Sequence, residues 1–248
     1  MGTIPDIIDA PEVDLPVDSG TDVAPAILLG THGYSVPGTA LRIVVSSPLV
    51  SPELWRAYCE GLREAFDRQG VGDAAGVDEP DTALVFTVVD EHGRVVAGIR
   101  SQGPLRLPEE SQTLRIWRGD PRVRALIEEW IPDGAVETKG FWMAPAFAGR
   151  RELIGSVKRT PVVASAVLGA RWAMGTAAHT MRLWTSAGAT VVDAVEPVHY
   201  PDERYRTSLA FWDRWHWVAG VASREIRAVD HEVAELLELQ LPTPRVAR

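Results

Sequence analysis

The chain has 248 residues, enough for one large domain or two small ones, and its 46% apolar content and nine tryptophans describe a folded protein with a sizeable core. A formal charge of −9 argues against general nucleic-acid binding, and the single cysteine, Cys59, excludes an internal disulfide framework and suits a reducing cytoplasm. No basic stretch leads into an apolar run at the start, and no window approaches ~18 uninterrupted apolar residues, so neither a signal peptide nor a membrane span is expected.

Residues 1–40 are rich in Pro, Asp and Gly and lack sustained periodicity, which predicts an extended or partly ordered arm ahead of a folded domain over 41–248. The run from Gly33 to Gly38 reads as a turn, because a hydrolase elbow needs its second glycine one residue earlier. Regular structure is expected to begin with a β-branched strand at 41–45. Ser51 and Pro52 then supply an N-cap and a first helical residue. Leu54, Tyr58, Leu62 and Phe66 recur every four residues, with Trp55 and Cys59 beside them, until Gly70 ends the helix. Cys59 on this apolar side reads as a core thiol. Two β-rich runs, 82–89 and 94–100, flank a short polar loop ending in Gly93 and predict a hairpin. Asp120 and Pro121 open a further helix whose Val123, Leu126, Ile127, Trp130 and Ile131 share one face, and Pro132 and Gly134 stop it.

A strand is expected at 136–143, then a turn rich in arginine and glycine at 147–156, then a slim helix opened by Thr160 and Pro161. Small residues from Ala164 to Ala170 let that helix lie close to a sheet. It is expected to end near Trp172 and to give way to a short strand at 173–177, since Gly175 and Thr176 weaken a helix interior. One continuous helix to Ala187 is the alternative. A helix carrying His179 and Trp184 follows, up to Gly188. Runs at 190–198 and 207–212 around a turn at 199–202 read as a second hairpin, and 230–241 as a glutamate-rich terminal helix. Phe211, Trp212, Trp215 and Trp217 read as core, with an acyl pocket or a homodimer contact as their other placements. The element order is α+β: a single mixed, mostly antiparallel sheet flanked by helices, with an N-terminal extension.

The segment 136–188 carries the chemistry. A strand that feeds a cationic turn into a helix N-terminus can hold a phosphate or pyrophosphate through backbone N–H groups and side-chain charge. Arg150, Arg151, Lys158 and Arg159 cluster where a polyanion would sit, or else decorate a solvated loop. Gly140 inside the strand marks a bulge, a close backbone approach or relief of crowding beneath a tryptophan. The six histidines show no metal-binding spacing, so no metal is expected.

In its order of elements over 41–213 the chain resembles the GNAT superfamily of acyl-CoA N-acyltransferases. It looks nearer to the long-chain N-acyl amino acid synthases and acyl-homoserine-lactone synthases than to small acetyltransferases. The resemblance implies a donor site in which Met143 and Ala144 offer backbone to a pantetheine arm while Arg150, Arg151, Gly155 and Ser156 hold the phosphates. The family's phosphate loop has Gln or Arg, two residues, Gly, one residue, then Gly or Ala. Here the spacing from Arg151 to Gly155 is one residue too long and Val157 takes the second small position, which leaves acyl-CoA and an acyl carrier protein both open as donor. The resemblance implies Glu137 as the base that deprotonates a small amine acceptor; an ordinary glutamate paired with Lys139 is the plainer reading. Trp184 stands in the slot of the family's proton-donating tyrosine, so the thiolate leaves unaided or with help from another group, for which His179 is the candidate. A catalytically silent relative that binds a ligand or protein is the competing expectation.

Overall fold

The computed structural model describes residues 32–72 and 81–238. Two short strands open it, β1 (His32–Ser35) and β2 (Arg42–Ser46), followed by helix α1 (Pro52–Arg68) and the hairpin β3 (Thr82–Val89) and β4 (Val95–Gln102). Helices α2 (Gln112–Ile116) and α3 (Pro121–Trp130) lead into β5 (Ala135–Met143). Then come α4 (Arg151–Val157), α5 (Thr160–Val167), β6 (Trp172–Ala177) and α6 (Met181–Thr185). The two-residue strands β7 (Thr190–Val191) and β8 (Val198–His199) precede β9 (Arg206–Asp213) and α7 (Ser223–Glu238).

Among the described residues the strands form one sheet in the order β1-β2-β3-β4-β5-β6-β9-β7, with β8 also paired to β9. Every neighbouring pair is antiparallel except β5 and β6. Side chains alternate across a strand, so the sheet has two distinct cores. Phe86, Ile99, Val136, Leu153, Val163 and Trp212 pack on the face that α5 and α7 cover. On the opposite face α1 presses Tyr58 and Leu62 against Val85 and Trp142. Beside it, Leu114 of α2 and Ile127 and Trp130 of α3 meet Ala135, Met174 and Leu209. This is the expected α+β class with a mixed, mostly antiparallel sheet. Among the described residues no helix is long and apolar enough to cross a membrane.

Several expectations need correction. Strand β1 lies within 1–40, where only an arm was expected; four residues without alternation give no local signal, and the strand exists because Tyr34 and its neighbours pair with β2. Residues 1–31 lie outside the described residues. The arginine- and glycine-rich stretch at 147–156 is a turn only as far as Gly149, whose φ is +86°; from Arg151 it is helix. The strand expected at 190–198 is broken into β7 and β8, both held by β9. The last helix begins at Ser223, earlier than expected, and 239–241 lie outside the described residues.

Two of the four clustered cations turn out to be internal. Arg159 is 6% exposed; its Nε lies 3.0 Å from both carboxylate oxygens of Glu232, and its Nη1 lies 3.1 Å from Glu225. Lys158 Nζ lies 3.0 Å from Glu225. Both carboxylates come from α7, so this network fastens α7 over α5. Burial pushes the Glu232 carboxyl up from its ordinary value, whereas at Glu225 the bonds from Lys158 and Arg159 outweigh burial and hold it down.

A second ion cluster closes one end of the sheet. Arg171, just before β6, makes a two-pronged pair with Asp213 at the end of β9 (Nε–Oδ1 3.0 Å, Nη2–Oδ2 2.7 Å) and reaches Asp133 before β5 at 2.9 Å. Its guanidinium stacks between Trp172 and Trp215, 4.3 and 4.5 Å from the ring centroids. Burial would push the Asp213 carboxyl up, but the bonds from Arg171 and His216 win and hold it down at about 2. A carboxylate depressed on folding contributes stability above its unfolded pKa and loses it as the pH falls through the folded value. Replacing Asp213 by Asn is therefore expected to cost about 2 kcal/mol at neutral pH and to flatten the stability profile between about pH 4 and pH 2, as measured by urea unfolding across that range.

Candidate functional site

The parallel strands β5 and β6 stay together only briefly. Their paired residues are Ala135 with Trp172, Val136 with Ala173, Glu137 with Met174 and Thr138 with Gly175. Beyond that point β5 follows β4, ending with Met143 opposite Ala97, while β6 follows β9, ending with Ala177 opposite Ser208. The two strands thus splay apart, and among the described residues no strand lies between them. The break that permits this is the one the sequence suggests: α5 stops at Val167 and β6 starts at Trp172, so no continuous helix runs to Ala187.

A bulge sharpens the divergence. Gly98 pairs with Trp142 but Arg100 pairs with Lys139, so Gly140 and Phe141 together face Ile99. Gly140 has φ +66°, a conformation that favours glycine, and its carbonyl accepts a 2.7 Å bond from the Tyr58 hydroxyl. A Cβ there would sit 2.2 Å from that hydroxyl. The glycine marks a bulge and a close approach together.

A cavity of about 250 Å³ occupies the gap and is lined from both faces of the sheet. On the α5 side its walls are Ile99, Phe141, Pro161, Trp184 and Trp212. On the α1 and α2 side they are Phe66, Gln112, Ile116, Lys139, Tyr200 and Tyr205. The aromatic end is fixed. Trp184 meets Phe141 and Trp212 edge-on at centroid distances of 5.7 and 6.0 Å. The indole N–H of Trp184 donates to Thr180 Oγ1 at 3.0 Å, and that of Trp212 to the Ala187 carbonyl at 3.2 Å.

The site residues expected from sequence fall in different places. Glu137 is 2% exposed and lies one residue before the last β5–β6 pair. Its Oε2 accepts from the Gln112 N–H at 2.7 Å, and its Oε1 from the Thr113 N–H at 2.7 Å and the Thr113 hydroxyl at 2.5 Å. His179 is not on a helix. It sits exposed in the bend after β6, on the cavity rim, with its ring 5.2 Å from that of Tyr205. Met143 ends β5 and Ala144 follows it, and neither is among the residues lining the cavity; the Ala144 N–H donates to the Val96 carbonyl, so alternation turns the Met143 backbone toward the edge away from β4. Arg150 and Arg151 are exposed where α4 begins, and the Arg150 guanidinium lies 4.4 Å over the Phe147 ring. Gly155 and Ser156 are inside α4, not in a loop. Ser156 is buried and accepts a bond from Arg159, so its hydroxyl faces the core.

Of the aromatic group, Trp212 and Trp217 are core, Phe211 packs on Trp130 and Trp172, and Trp215 is exposed over Arg171. Gln112, Ile116, Tyr200 and Tyr205 were not singled out from sequence. Gln112 and Ile116 come from the five-residue α2 and Tyr200 and Tyr205 from the connection between β8 and β9, and no sequence spacing relates the two pairs. Among the described residues no group of three or more His, Cys, Asp or Glu is placed to hold a metal ion.

No protein-family model matches the chain. It is 35% identical over 181 residues to uncharacterised proteins of Mycobacterium tuberculosis and Mycobacterium bovis, an alignment covering 70% of this chain and 69% of each of theirs. Among solved structures, FeeM, an N-acyl amino acid synthase from uncultured soil microbes, matches with a TM-score of 0.52 at 15% identity. That match covers 75% of this chain and 98% of FeeM, and it is a likeness of fold: the acyl-CoA N-acyltransferase, or GNAT, fold.

The bulge supplies a direct check on this geometry. Replacing Gly140 by Ala is expected to destabilise the protein by about 1–3 kcal/mol in urea unfolding, because the methyl group meets the Tyr58 hydroxyl at a positive φ.

Proposed function

We propose that this chain, which belongs to the same family as those mycobacterial proteins and has the GNAT fold, transfers an acyl group from a thioester donor to a small amine. The observation that carries the reading is the gap that opens between β5 and β6 beyond Thr138 and Gly175, which holds a cavity reaching both faces of the sheet.

The donor enters along β5. Beyond Thr138 no strand among the described residues pairs with β5 on its β6 side, and an extended pantetheine arm lies along that edge as an added strand would. Met143 faces that edge. The first turn of α4 presents N–H groups without partners four residues back, and Arg150 and Arg151 stand exposed beside it. These groups suit the phosphates of an acyl-CoA; the same two arginines suit the acidic surface of an acyl carrier protein. Lys158 and Arg159 take no part, being paired with α7.

The amine reaches the thioester carbonyl from the Gln112 and Tyr200 side. Its nitrogen forms the new C–N bond, the C–S bond breaks, and one proton leaves the nitrogen. His179, on the rim of the cavity, takes that proton on a ring nitrogen. Trp184 holds its N–H on Thr180 and is not an acid, so the sulfur leaves as a thiolate, which a thiol pKa of about 8.5 permits. A second reading has its own support. Glu137 and Trp184, where the fold's usual base and acid stand, are both engaged in internal bonds, as in a domain that binds a ligand without turning it over.

A thioester-cleavage screen with varied acyl lengths and amines separates the two readings. The enzyme gives thiol release that depends on the acceptor; its absence across the panel, with ligand binding retained, supports the silent domain. Replacing Arg150 and Arg151 by Ala is expected to weaken CoA binding in calorimetry by at least roughly tenfold, each lost charge-assisted bond contributing about 1.5–3 kcal/mol. Unchanged affinity removes both from the donor site. For His179→Ala the expected result is a rate of acceptor-dependent thiol release reduced roughly 100-fold near neutral pH, with CoA affinity in calorimetry unchanged.

A further inference from the structure

We propose that Glu137 is a positioning residue for the acceptor: it pins the N-terminus of α2 so that Gln112 and Ile116 stand as one wall of the cleft. The inference rests on the acyl-transfer reading. It reassigns the residue that the fold would otherwise suggest as the base.

A five-residue helix is far too short to hold its own conformation. Each of the first three N–H groups of α2 nevertheless has a partner. Ser111 Oγ accepts from Leu114 at 3.3 Å, and the Gln112 and Thr113 N–H groups both donate to Glu137, a strand residue 24 or 25 positions away. The Thr113 hydroxyl adds a third bond to the same carboxylate. A carboxylate at a helix N-terminus also meets the positive end of the helix dipole. Strand β5 therefore dictates where α2 begins and which way it points.

That orientation reaches the cleft. Gln112 Nε2 donates to the Tyr200 hydroxyl at 3.2 Å, and Thr207 Oγ1 on β9 donates to the Tyr200 carbonyl at 2.6 Å. A chain of contacts thus runs from β5 through α2 to β9, spanning the opening between the splayed strands. Ile116, one turn further along α2, lines the same cavity. All three groups that converge on the carboxylate are donors, so both of its oxygens are used as acceptors in holding α2.

Glu137→Gln tests this, because the amide keeps the shape but has one acceptor oxygen and turns an NH2 group toward N–H donors. The expected outcome is loss of hydrogen-exchange protection at the Gln112 and Thr113 amides. The acceptor KM is expected to rise roughly tenfold, while kcat changes less than about twofold and donor affinity and the shape of the pH–rate profile persist. Thr113→Val removes only the hydroxyl bond and is expected to move KM in the same direction by a smaller factor. Two results overturn the proposal: retained protection at those amides in Glu137→Gln, or a kcat loss with unchanged KM and a vanished acid limb, which is the signature of a base. Failure of the wild type to release thiol with any acceptor is a different outcome. It sinks the acyl-transfer reading and the acceptor role with it, whatever the exchange measurement says of the pin.

Discussion

The structure depends on one limited pairing. β5 and β6 share four residue pairs and then part, and nearly everything of functional interest follows from where they part. At the closed end Arg171 ties the approach to β5, the approach to β6 and the end of β9 into one ion cluster packed between two tryptophans. At the open end Gly140 bulges β5 toward Tyr58, and Gly175 brings no side chain to the point of divergence. A close-packed interior does not tolerate an empty wedge. Here the wedge persists because its walls are held by other neighbours: β5 by β4 and α1, β6 by β9, and the aromatic end by indole hydrogen bonds.

Charge is organised around the same gap. The cations of the 150–159 segment divide by helical position. Arg150 and Arg151 precede or begin α4 and face solvent, while Lys158 and Arg159 lie at the junction with α5 and turn inward to α7. Taking charges out of water is costly unless each is paired and hydrogen-bonded. The glutamates of α7 supply that pairing, so two pairs of cations that look alike in sequence have different roles in space.

How much of this was legible in the chain depends on the range of the forces involved. The slim helix, the strand expected at 173–177 and the hairpin expected from 82–89 and 94–100 are set by local periodicity, capping and glycine placement; the strands stand within one or two residues of those bounds, and the helix ends at Val167, five residues short of the expected Trp172. The fold class follows from their order. Strand β1 and helix α2 were not legible. The first is four residues that form an edge because β2 offers one; the second is five residues whose N-terminus is satisfied by a carboxylate from another element. For the same reason Glu137 looks like a surface glutamate or a base in sequence, while its three donors arrive only on folding. Gly155 and Ser156 resemble a phosphate loop by composition, yet the turn ends at Gly149 and helix takes over.

The ion network under α7 bears on how the polypeptide is made. Strand β1, the earliest described element, touches α7, the latest. Lys158 and Arg159 leave the ribosome well before the glutamates that neutralise them. During synthesis the nascent sheet must wait with two uncompensated cations and with the surface that α7 covers still exposed, a state in which apolar surface invites association with other chains. Completion is therefore a late event for this domain, reached when its two extremities meet.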